Sequence, residues 1–264
     1  MTRQPSPRGA LKSPPQYLLV TMNKVYIDTF GIMIRDVYES KAGFEILERD
    51  DDLIDKRNVW EAYFSDYKNW PEDEKKALKY IKGKVLDIGC GAGRHSLYLQ
   101  NKGHYVIATD ISRGAIEVCQ KRGLKKVKNI SVEKIDRLNE KFETVLLLGN
   151  NLGLLQNPAY AKKILKKIDQ ITTSKTIIIG STINPYLTKE KVHLDYQQHN
   201  IVKGKLAGEM KFRSHYKGYV SEWFNYLFCS PEELAKILSD TSWKIEKIIS
   251  PKKPIYYAIL SKQR

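Results

Sequence analysis

Short apolar runs alternate with amphipathic runs along the chain from residue 83 onward. A short apolar run bounded by polar residues indicates a buried strand, and an apolar residue at every third or fourth position indicates a helix. The apolar runs predict strands at 84–88, 105–109, 127–132, 143–148, 175–180, 243–249 and 255–260. The amphipathic runs predict helices at 94–102, 113–121, 160–168 and from Ser230 onward. This alternation predicts an α/β fold with a doubly wound, mostly parallel seven-stranded sheet.

Two segments depart from the alternation. Residues 22–79 combine helical patterning with many aromatic residues, and Pro71 followed by acidic residues marks the start of a helix there. Residues 185–228 are polar and aromatic, with alternating polarity such as that at 210–216. We therefore expect an N-terminal helical cap at 22–79 and a β-rich insertion at about 185–228. The insertion follows the fifth strand of a main domain that spans 80–264.

The chain carries no sign of membrane targeting. Residues 1–21 are basic and rich in Pro and Ser, without the apolar core of a secretory signal. We expect a flexible basic arm there, and Met22 is an alternative start of the natural protein. No apolar run approaches the roughly 20 residues that a membrane span requires, so we expect no membrane contact.

The cysteine content argues against disulfide-rich and zinc-binding proteins, and the net charge leaves RNA binding open. Cys90, Cys119 and Cys229 lie far apart without a CxxC pair, which argues against a disulfide framework and against a zinc site. We expect a cytoplasmic protein without a metal. The formal net charge of +15 has two interpretations, a surface that attracts RNA or a solvated Lys-rich surface. The oligomeric state is left open.

A glycine-rich run follows the first strand of the main domain. Residues 85–94 read Val-Leu-Asp-Ile-Gly-Cys-Gly-Ala-Gly-Arg, with the start of a predicted helix directly after them. Arg94 stands where the dinucleotide fingerprint Gly-x-Gly-x-x-Gly requires a small residue, and no Gly-Lys-Ser/Thr of a P-loop follows. Glycines allow a tight turn and a close approach of a ligand to the backbone. The alternative is a structural turn without a ligand.

An acidic residue ends the next predicted strand. Asp110 lies about twenty residues beyond the glycine run, which is the spacing at which a carboxylate accepts both hydroxyls of a ribose. The alternative role is a cap of the following helix, for which Ser112 is the better candidate.

These residues together resemble the class I S-adenosylmethionine-dependent methyltransferases. Residues 85–93 closely match the first motif of that family, and Asp110-Ile111-Ser112 matches the second. The resemblance covers residues 80–264 and implies a Rossmann-like methyltransferase fold. It also implies S-adenosyl-L-methionine as the cofactor, and it leaves the methyl acceptor open.

The resemblance implies roles for individual residues. The backbone around the glycine run would follow the aminoacyl part of the cofactor, with Asp87 receiving its ammonium group. Asp110 would accept the ribose hydroxyls, and Ile111 would lie against the adenine. The residues of the glycine run concerned are Gly89, Cys90, Gly91, Ala92 and Gly93.

Two further groups of residues are candidates for cofactor contacts. The third motif of the family is matched less well, since its usual Asp falls on Ser131, followed by Val132 and Glu133. Glu133 is either an adenine contact or a residue of a solvated loop. In the N-terminal segment an aromatic cluster either closes over the cofactor or holds the helices on the sheet. Its members are Tyr63, Phe64, Tyr67 and Trp70.

The acceptor is expected at the loop after the fourth strand, Gly149-Asn150-Asn151. Gly149 and Asn150 are candidate cofactor contacts. Asn150 and Asn151 are also candidate catalytic residues, whose amides would hydrogen-bond the cofactor or the acceptor. The alternative is that one of the two amides caps a turn. His95, directly after the glycine run, and His215, in the insertion, are candidate bases or packing residues.

Three hypotheses of function follow. The first is methyl transfer from S-adenosylmethionine to a small or medium-sized acceptor at O, N or C, with the cap and the insertion as a lid. The second keeps the cofactor and makes RNA the acceptor. The third is a non-catalytic protein that binds the cofactor or a partner on the same fold.

Overall fold

The computed structural model describes residues 18–21 and 24–263. Most of the predicted arm and Met22 therefore lie outside the described residues. The helices are α1 (Thr29–Ser40), α2 (Val59–Phe64), α3 (Glu72–Leu78), α4 (Arg94–Asn101), α5 (Arg113–Lys121), α6 (Pro158–Gln170), α7 (Lys191–Val202) and α8 (Pro231–Leu238). The strands are β1 (Leu18–Thr21), β2 (Lys24–Ile27), β3 (Phe44–Arg49), β4 (Ile54–Asn58), β5 (Val85–Ile88), β6 (Val106–Asp110), β7 (Val127–Asn129), β8 (Phe142–Leu147), β9 (Thr172–Ile183), β10 (Glu209–Tyr216), β11 (Tyr219–Val220), β12 (Phe224–Leu227), β13 (Trp243–Ile249) and β14 (Ile255–Lys262).

A seven-stranded sheet forms the centre of the main domain. Its strand order is β13-β14-β9-β8-β5-β6-β7, and the pairs from β9 to β7 are parallel. Strand β14 is antiparallel to both neighbours. The prediction of a doubly wound, mostly parallel sheet is confirmed. The connections leave β5 toward β6 on one side and β8 on the other, so a crevice opens at the carboxyl ends of these strands.

Alternating side chains of the sheet fill two apolar layers. Leu86 and Ile88 of β5 pack with α6 and α8 on one face, and Val85 packs with α3 and α4 on the other. Helix α8 begins with Ser230, whose side chain forms a capping box with Glu233, as its sequence indicates. A sheet covered on both faces favours strands of mainly apolar residues, and β5 and β6 are buried at every position, including the polar residues Asp87, Thr109 and Asp110.

A second, antiparallel sheet corrects the prediction for the N-terminal segment. Strands β3 and β4 lie within the segment predicted as a helical cap, and β10 pairs with β3, with β11 and with β12. The insertion is likewise not only β-structure, since it begins with α7. Periodicity missed β3 because its hydrogen-bonding partner β10 is about 160 residues away. The division into domains remains a prediction.

Helix α1 docks on α5 through two glycines and a buried carboxylate. Asp28 accepts hydrogen bonds from the N–H groups of Gly31 and Gly114 and from the Ser112 hydroxyl, at 2.8–3.0 Å. A Cβ at Gly114 would lie 2.6 Å from the backbone of Gly31. This contact fixes the N-terminal segment beside the carboxyl end of β6.

We expect Gly114→Ala to lower the free energy of unfolding by about 1–3 kcal/mol, because its methyl group overpacks the contact between the two helices. In an open helix position the same change would stabilise by roughly 0.5–1 kcal/mol. Chemical denaturation measures the difference, with Gln120→Ala on the exposed face of α5 as the control. Increased stability of Gly114→Ala would contradict the close packing of α1 on α5.

Candidate cofactor and acceptor site

One cavity of about 1280 Å³ lies between the two sheets. Its floor is formed by the carboxyl ends of β5, β6 and β8, and its roof by β3, β4, β10 and β12. Ligand pockets in proteins commonly measure roughly 300–1,000 Å³, so this cavity has room for a cofactor and a second molecule. We refer to the floor as the cofactor side and to the roof as the acceptor side.

The glycine run forms a tight loop on the cofactor side. Gly89 and Gly91 have φ of 71° and 55°, in the left-handed region that favours glycine. A Cβ at Gly89 would lie 2.5 Å from Nδ2 of Asn151, and a Cβ at Gly91 would lie 3.1 Å from the ring of Tyr63. The backbone therefore passes close to both side chains, which only glycine permits.

Asp110 stabilises the glycine loop from the neighbouring strand. Its Oδ2 accepts from the N–H of Gly91 at 2.9 Å, and its Oδ1 accepts from the N–H of Ser112 at 2.8 Å. Burial, together with the charges of Asp28 and Asp87, raises the pKa of Asp110 to about 6. Each carboxylate oxygen keeps a further lone pair for a ligand in the cavity.

The structure places most of the predicted cofactor residues on the cavity wall. The residues that line it are Tyr63, Gly89, Cys90, Gly91, Asp110, Ile111, Ser131, Val132, Glu133, Gly149 and Asn150. Asp87, Ala92 and Gly93 lie behind this wall. Asp87 accepts from the Ser96 hydroxyl at 2.6 Å, and burial raises its pKa. The Asp87 carboxylate therefore does not reach the cavity, although its expected role of binding the ammonium group of the cofactor would require it to do so.

The residues of the third motif are partly engaged with the protein. The Ser131 hydroxyl accepts from the N–H of Glu133, and the Glu133 carboxylate accepts from the Tyr160 hydroxyl at 2.8 Å. Ile111 is 58% exposed beside Asp110, although it is a large apolar residue. An exposed isoleucine next to a buried carboxylate is suited to an apolar ring attached to a ribose.

Two buried thiols lie beneath the loop. Sγ of Cys90 is 3.9 Å from Sγ of Cys119, and the Cys119 thiol donates to the carbonyl of Gly91 at 3.2 Å. The neighbouring Cys119 and burial raise the pKa of Cys90 well above its usual range. The Cys90 thiol therefore stays protonated, and both cysteines pack beneath the loop.

The cofactor side fits S-adenosylmethionine. The glycine loop leaves backbone facing the cavity, Asp110 offers acceptor capacity for hydroxyl groups, and Ile111 offers an apolar face. Near the same loop, the hydroxyl of Thr29 at the start of α1 is buried and has no hydrogen-bond partner among the described residues. Buried polar groups without a partner are uncommon in proteins, and a polar ligand or a water molecule beside Thr29 would satisfy this one.

Asn150 and Asn151 have different roles in the structure. Nδ2 of Asn151 donates to the carbonyls of Ile88 and Gly89, and its Oδ1 accepts from the Tyr226 hydroxyl. Asn151 therefore clamps the glycine loop and is not free to bind an acceptor, which corrects that prediction. The Asn150 side chain lines the cavity and makes no hydrogen bond within the described part of the chain.

The two predicted histidine bases are both held by carboxylates. Nε2 of His95 is 2.8 Å from Oε1 of Glu74, which also binds Arg94, and the ring packs against Trp70. Burial would raise the pKa of Glu74, but the hydrogen bond from His95 and the charge of Arg94 lower it. His95 lines the cavity at the glycine loop and ties α4 to α3.

His215 lies on the wrong face of its strand. Met210, Phe212 and Ser214 of β10 face the cavity, whereas His215 points to the other side and pairs with Glu48 at 2.5 Å. Successive side chains of a strand point to opposite faces, so the expected role of His215 as a base at the acceptor is wrong.

The aromatic cluster of the N-terminal segment is also divided. Tyr63 lines the cavity, whereas Phe64 stacks on Trp60 at 4.9 Å and Trp70 packs on Tyr98. Phe64, Tyr67 and Trp70 therefore hold the helices together, and only Tyr63 lies where it can contact a cofactor.

Residues of the second sheet on the acceptor side were not singled out from the sequence. Glu45 and Arg57 form an ion pair at 3.0 Å, and the Tyr63 hydroxyl donates to the same oxygen, Oε2 of Glu45, at 2.9 Å. The Tyr226 hydroxyl donates to the carbonyl of Asn150 at 2.9 Å. Residues 44–49 read Phe-Glu-Ile-Leu-Glu-Arg and do not alternate strictly between apolar and polar residues, so the sequence carried only a weak signal for this strand.

Metal and membrane sites were searched within the described ranges. No cluster of three or more His, Cys, Asp or Glu residues suited to a metal ion occurs among residues 18–21 and 24–263. None of the helices in that part of the chain is both long enough and apolar enough to cross a membrane.

Comparison with known proteins identifies the fold family. A family model described as a methyltransferase domain matches residues 85–174. The ribosomal protein L11 methyltransferase of Thermotoga neapolitana is 31% identical over 110 residues, which are 40% of this chain and 39% of that protein. The chain thus spans about two fifths of the length of the curated relatives it matches.

Solved structures cover nearly the whole chain. A SAM-dependent methyltransferase from Bacteroides fragilis, in complex with S-adenosyl-L-homocysteine, has a TM-score of 0.76 and 26% identity, and covers 92% of this chain and 100% of its own. The CcbJ methyltransferase from Streptomyces caelestis has a TM-score of 0.62 and 12% identity, with coverage of 90% and 100%, and shows similarity of fold. Residues 85–174 therefore form a methyltransferase domain with S-adenosylmethionine as its cofactor, and the chain has the fold of the S-adenosylmethionine-dependent methyltransferases.

Proposed function

We propose that the protein transfers a methyl group from S-adenosylmethionine to a small molecule held in the cavity between the two sheets. The observation that carries this proposal is the continuity of the cavity. The same space reaches from the glycine loop and Asp110 to the polar and aromatic residues of β3, β4, β10 and β12. A donor and an acceptor can therefore lie side by side in one cavity.

The bound cofactor supplies an activated methyl group, so the protein has to bind, orient and exclude water. Asp110 accepts the ribose hydroxyls, and Ile111 lies against the adenine. Asn151 holds the loop after β8 against the glycine loop on the cofactor side, and the Tyr226 hydroxyl of β12 ties the acceptor side to that loop. Asn150, whose amide faces the cavity, contacts the acceptor.

An acceptor enclosed by the protein suits the charge around the cavity better than RNA does. Asp55, Glu190 and Glu222 are exposed carboxylates on the cavity wall, against one exposed lysine, Lys189. A phosphate backbone would be repelled there, although the chain as a whole is basic. The L11 methyltransferases modify a ribosomal protein by name, and a protein acceptor would have to extend a side chain into the cavity.

We further propose a cytoplasmic location, which the three free cysteines support.

Calorimetry with S-adenosylhomocysteine tests the proposal. We expect a saturable one-to-one complex, and we expect transfer of label from methyl-labelled S-adenosylmethionine to a component of a small-molecule extract. Mixed tRNA at low salt serves as the comparison acceptor. A folded sample that binds neither cofactor form would overturn the proposed function, and label transferred only to tRNA would overturn the choice of acceptor.

A further inference from the structure

A carboxylate with one unused oxygen projects into the acceptor side of the cavity. The Glu45 side chain is 6% exposed, and both of its donors, Tyr63 and Arg57, bind Oε2. No hydrogen bond to the other oxygen, Oε1, occurs among the described residues. Burial and the adjacent Glu45 raise the pKa of Tyr63, so its hydroxyl remains a donor. The protein thus orients the carboxylate and leaves one oxygen for a ligand.

An aromatic wall lies on the same side. Phe212, Phe224, Tyr226 and Phe228 all line the cavity and form one cluster, with ring centroids 5.7–6.5 Å apart. Phe224 is 39% exposed, so its ring is open to a ligand. Aromatic faces bind apolar rings, and they also stabilise cations.

Tyr63 and Tyr226 connect the acceptor side, where Glu45 lies, to the loops that hold the cofactor. Tyr63 contacts Glu45 through its hydroxyl and lies against Gly91 through its ring. Tyr226, from the aromatic wall, binds the loop after β8 through the carbonyl of Asn150. Glu45 is therefore one side chain away from the loop that holds the cofactor.

We infer that the acceptor is an amine on an apolar, ring-containing molecule and that Oε1 of Glu45 binds its nitrogen and receives its proton. This inference rests on the proposed methyl transfer. The amine enters as an ammonium ion, and the exposed carboxylates Asp55, Glu190 and Glu222 attract it to the cavity. Glu45 and the aromatic wall then hold its charged end.

The transfer balances with the groups present. The ammonium gives one proton to Oε1 of Glu45, which passes it to solvent. The nitrogen lone pair forms a bond to the methyl carbon, while the bond from that carbon to sulfur breaks and its electron pair stays on sulfur. The product nitrogen is again a cation, which the ionised Glu45 and the aromatic rings stabilise as its charge develops.

A hydroxyl acceptor would suit this site less well. An aliphatic hydroxyl is far less acidic than an ammonium ion, so its methylation requires a stronger base, and the product ether carries no charge for Glu45 to stabilise. Two histidines line the cavity. Arg49 donates to Nδ1 of His193 at 3.0 Å, so the His193 nitrogen that could accept a proton is already engaged. His95 is bound to Glu74 beside the glycine loop, so neither histidine is placed to act as the base for a hydroxyl acceptor.

The affinities of three probes of similar shape, each measured separately, test the inference. Phenethylamine, phenethyl alcohol and hydrocinnamate are titrated into protein saturated with S-adenosylhomocysteine, with calorimetry as the readout. We expect the amine to bind roughly tenfold more tightly than the alcohol, since a hydrogen bond between charged groups contributes about 1.5–3 kcal/mol. Hydrocinnamate should bind more weakly than either.

Two variants decide whether Glu45 causes the preference. Glu45→Gln should reduce the preference for the amine to less than about threefold, whereas Glu48→Gln should retain it. Glu48 lies on the same strand but on the outer face, paired with Arg213 and His215. Glu45→Asp keeps the charge and should restore part of the preference if Glu45→Gln only loosens the fold.

Each outcome bears on the inference. Equal binding of amine and alcohol, no binding of the amine, or full preference in Glu45→Gln would overturn it. Binding of S-adenosylhomocysteine is measured first, so its absence would count against the proposed function, whereas normal cofactor binding without an amine preference counts against the amine alone.

Discussion

Replacement of Asp110 by alanine is expected to weaken binding of S-adenosylhomocysteine by roughly 10- to 150-fold, or about 1.5–3 kcal/mol. Two losses add to this effect. The ribose hydroxyls lose a charged acceptor, and the N–H groups of Gly91 and Ser112 lose the buried oxygens that hold the loop. The same change should slow methyl transfer mainly through the affinity for the cofactor.

Calorimetry on wild type and Asp110→Ala measures this prediction. Asp240→Ala is the control, because Asp240 is an exposed carboxylate that pairs only with surface groups, Lys162 and Ser239. Thermal unfolding of each variant checks that the fold is intact. A dissociation constant within about twofold of wild type in a folded Asp110→Ala sample would show that this carboxylate does not bind the ribose.

The stability of the protein without cofactor is expected to fall as the pH rises from 4 to 6.5, through the titration of Asp110. Its pKa is about 6 in the folded protein and 3.8 as a free side chain. The folded state therefore holds the proton more tightly, so the stabilisation is complete below the lower pKa and is lost as the pH passes the higher one. The difference corresponds to at most about 3 kcal/mol.

Affinity for the cofactor is expected to change in the opposite direction. Hydroxyl donors favour the ionised carboxylate, so the affinity for S-adenosylhomocysteine should decrease below about pH 6, by up to about tenfold per unit. Denaturation and calorimetry at several pH values, on wild type and on Asp110→Asn, measure both effects. Asparagine does not titrate, so parallel pH profiles in the two proteins would refute the assignment.

Local patterns were sufficient for the central sheet. The strand at 243–249 and the helix at 113–121 were predicted with the bounds that the structure has, and the strand order agrees with a doubly wound sheet. Each of these elements carries its own signal, an apolar run or an amphipathic period bounded by a cap. Strand β9 extends from Thr172 to Ile183, beyond the predicted 175–180, because pairing with β14 continues past the apolar run.

The candidate site was predictable only on its cofactor side. The glycine loop directly follows β5 and Asp110 ends β6, so the order of residues in the sequence was enough to place both at the same edge of the sheet. Glu45, Arg57 and Tyr226 come from three strands of a sheet in which paired residues lie up to about 170 positions apart, and no local spacing in the sequence indicates such a contact. The same pairing decided that Ser214 faces the cavity and His215 does not.

The sequence by itself determined the fold class, the cofactor loop and the buried carboxylate beside it, because short-range periodicity and glycine placement govern those features. Only the tertiary structure decided that the N-terminal segment and the insertion share a second sheet. It also decided that their side chains form the acceptor side of one cavity, and that Asn151 clamps the glycine loop while Asn150 remains available. The physical reason is that these contacts join residues far apart in the chain, and strand pairing alone selects which face of each strand is turned inward.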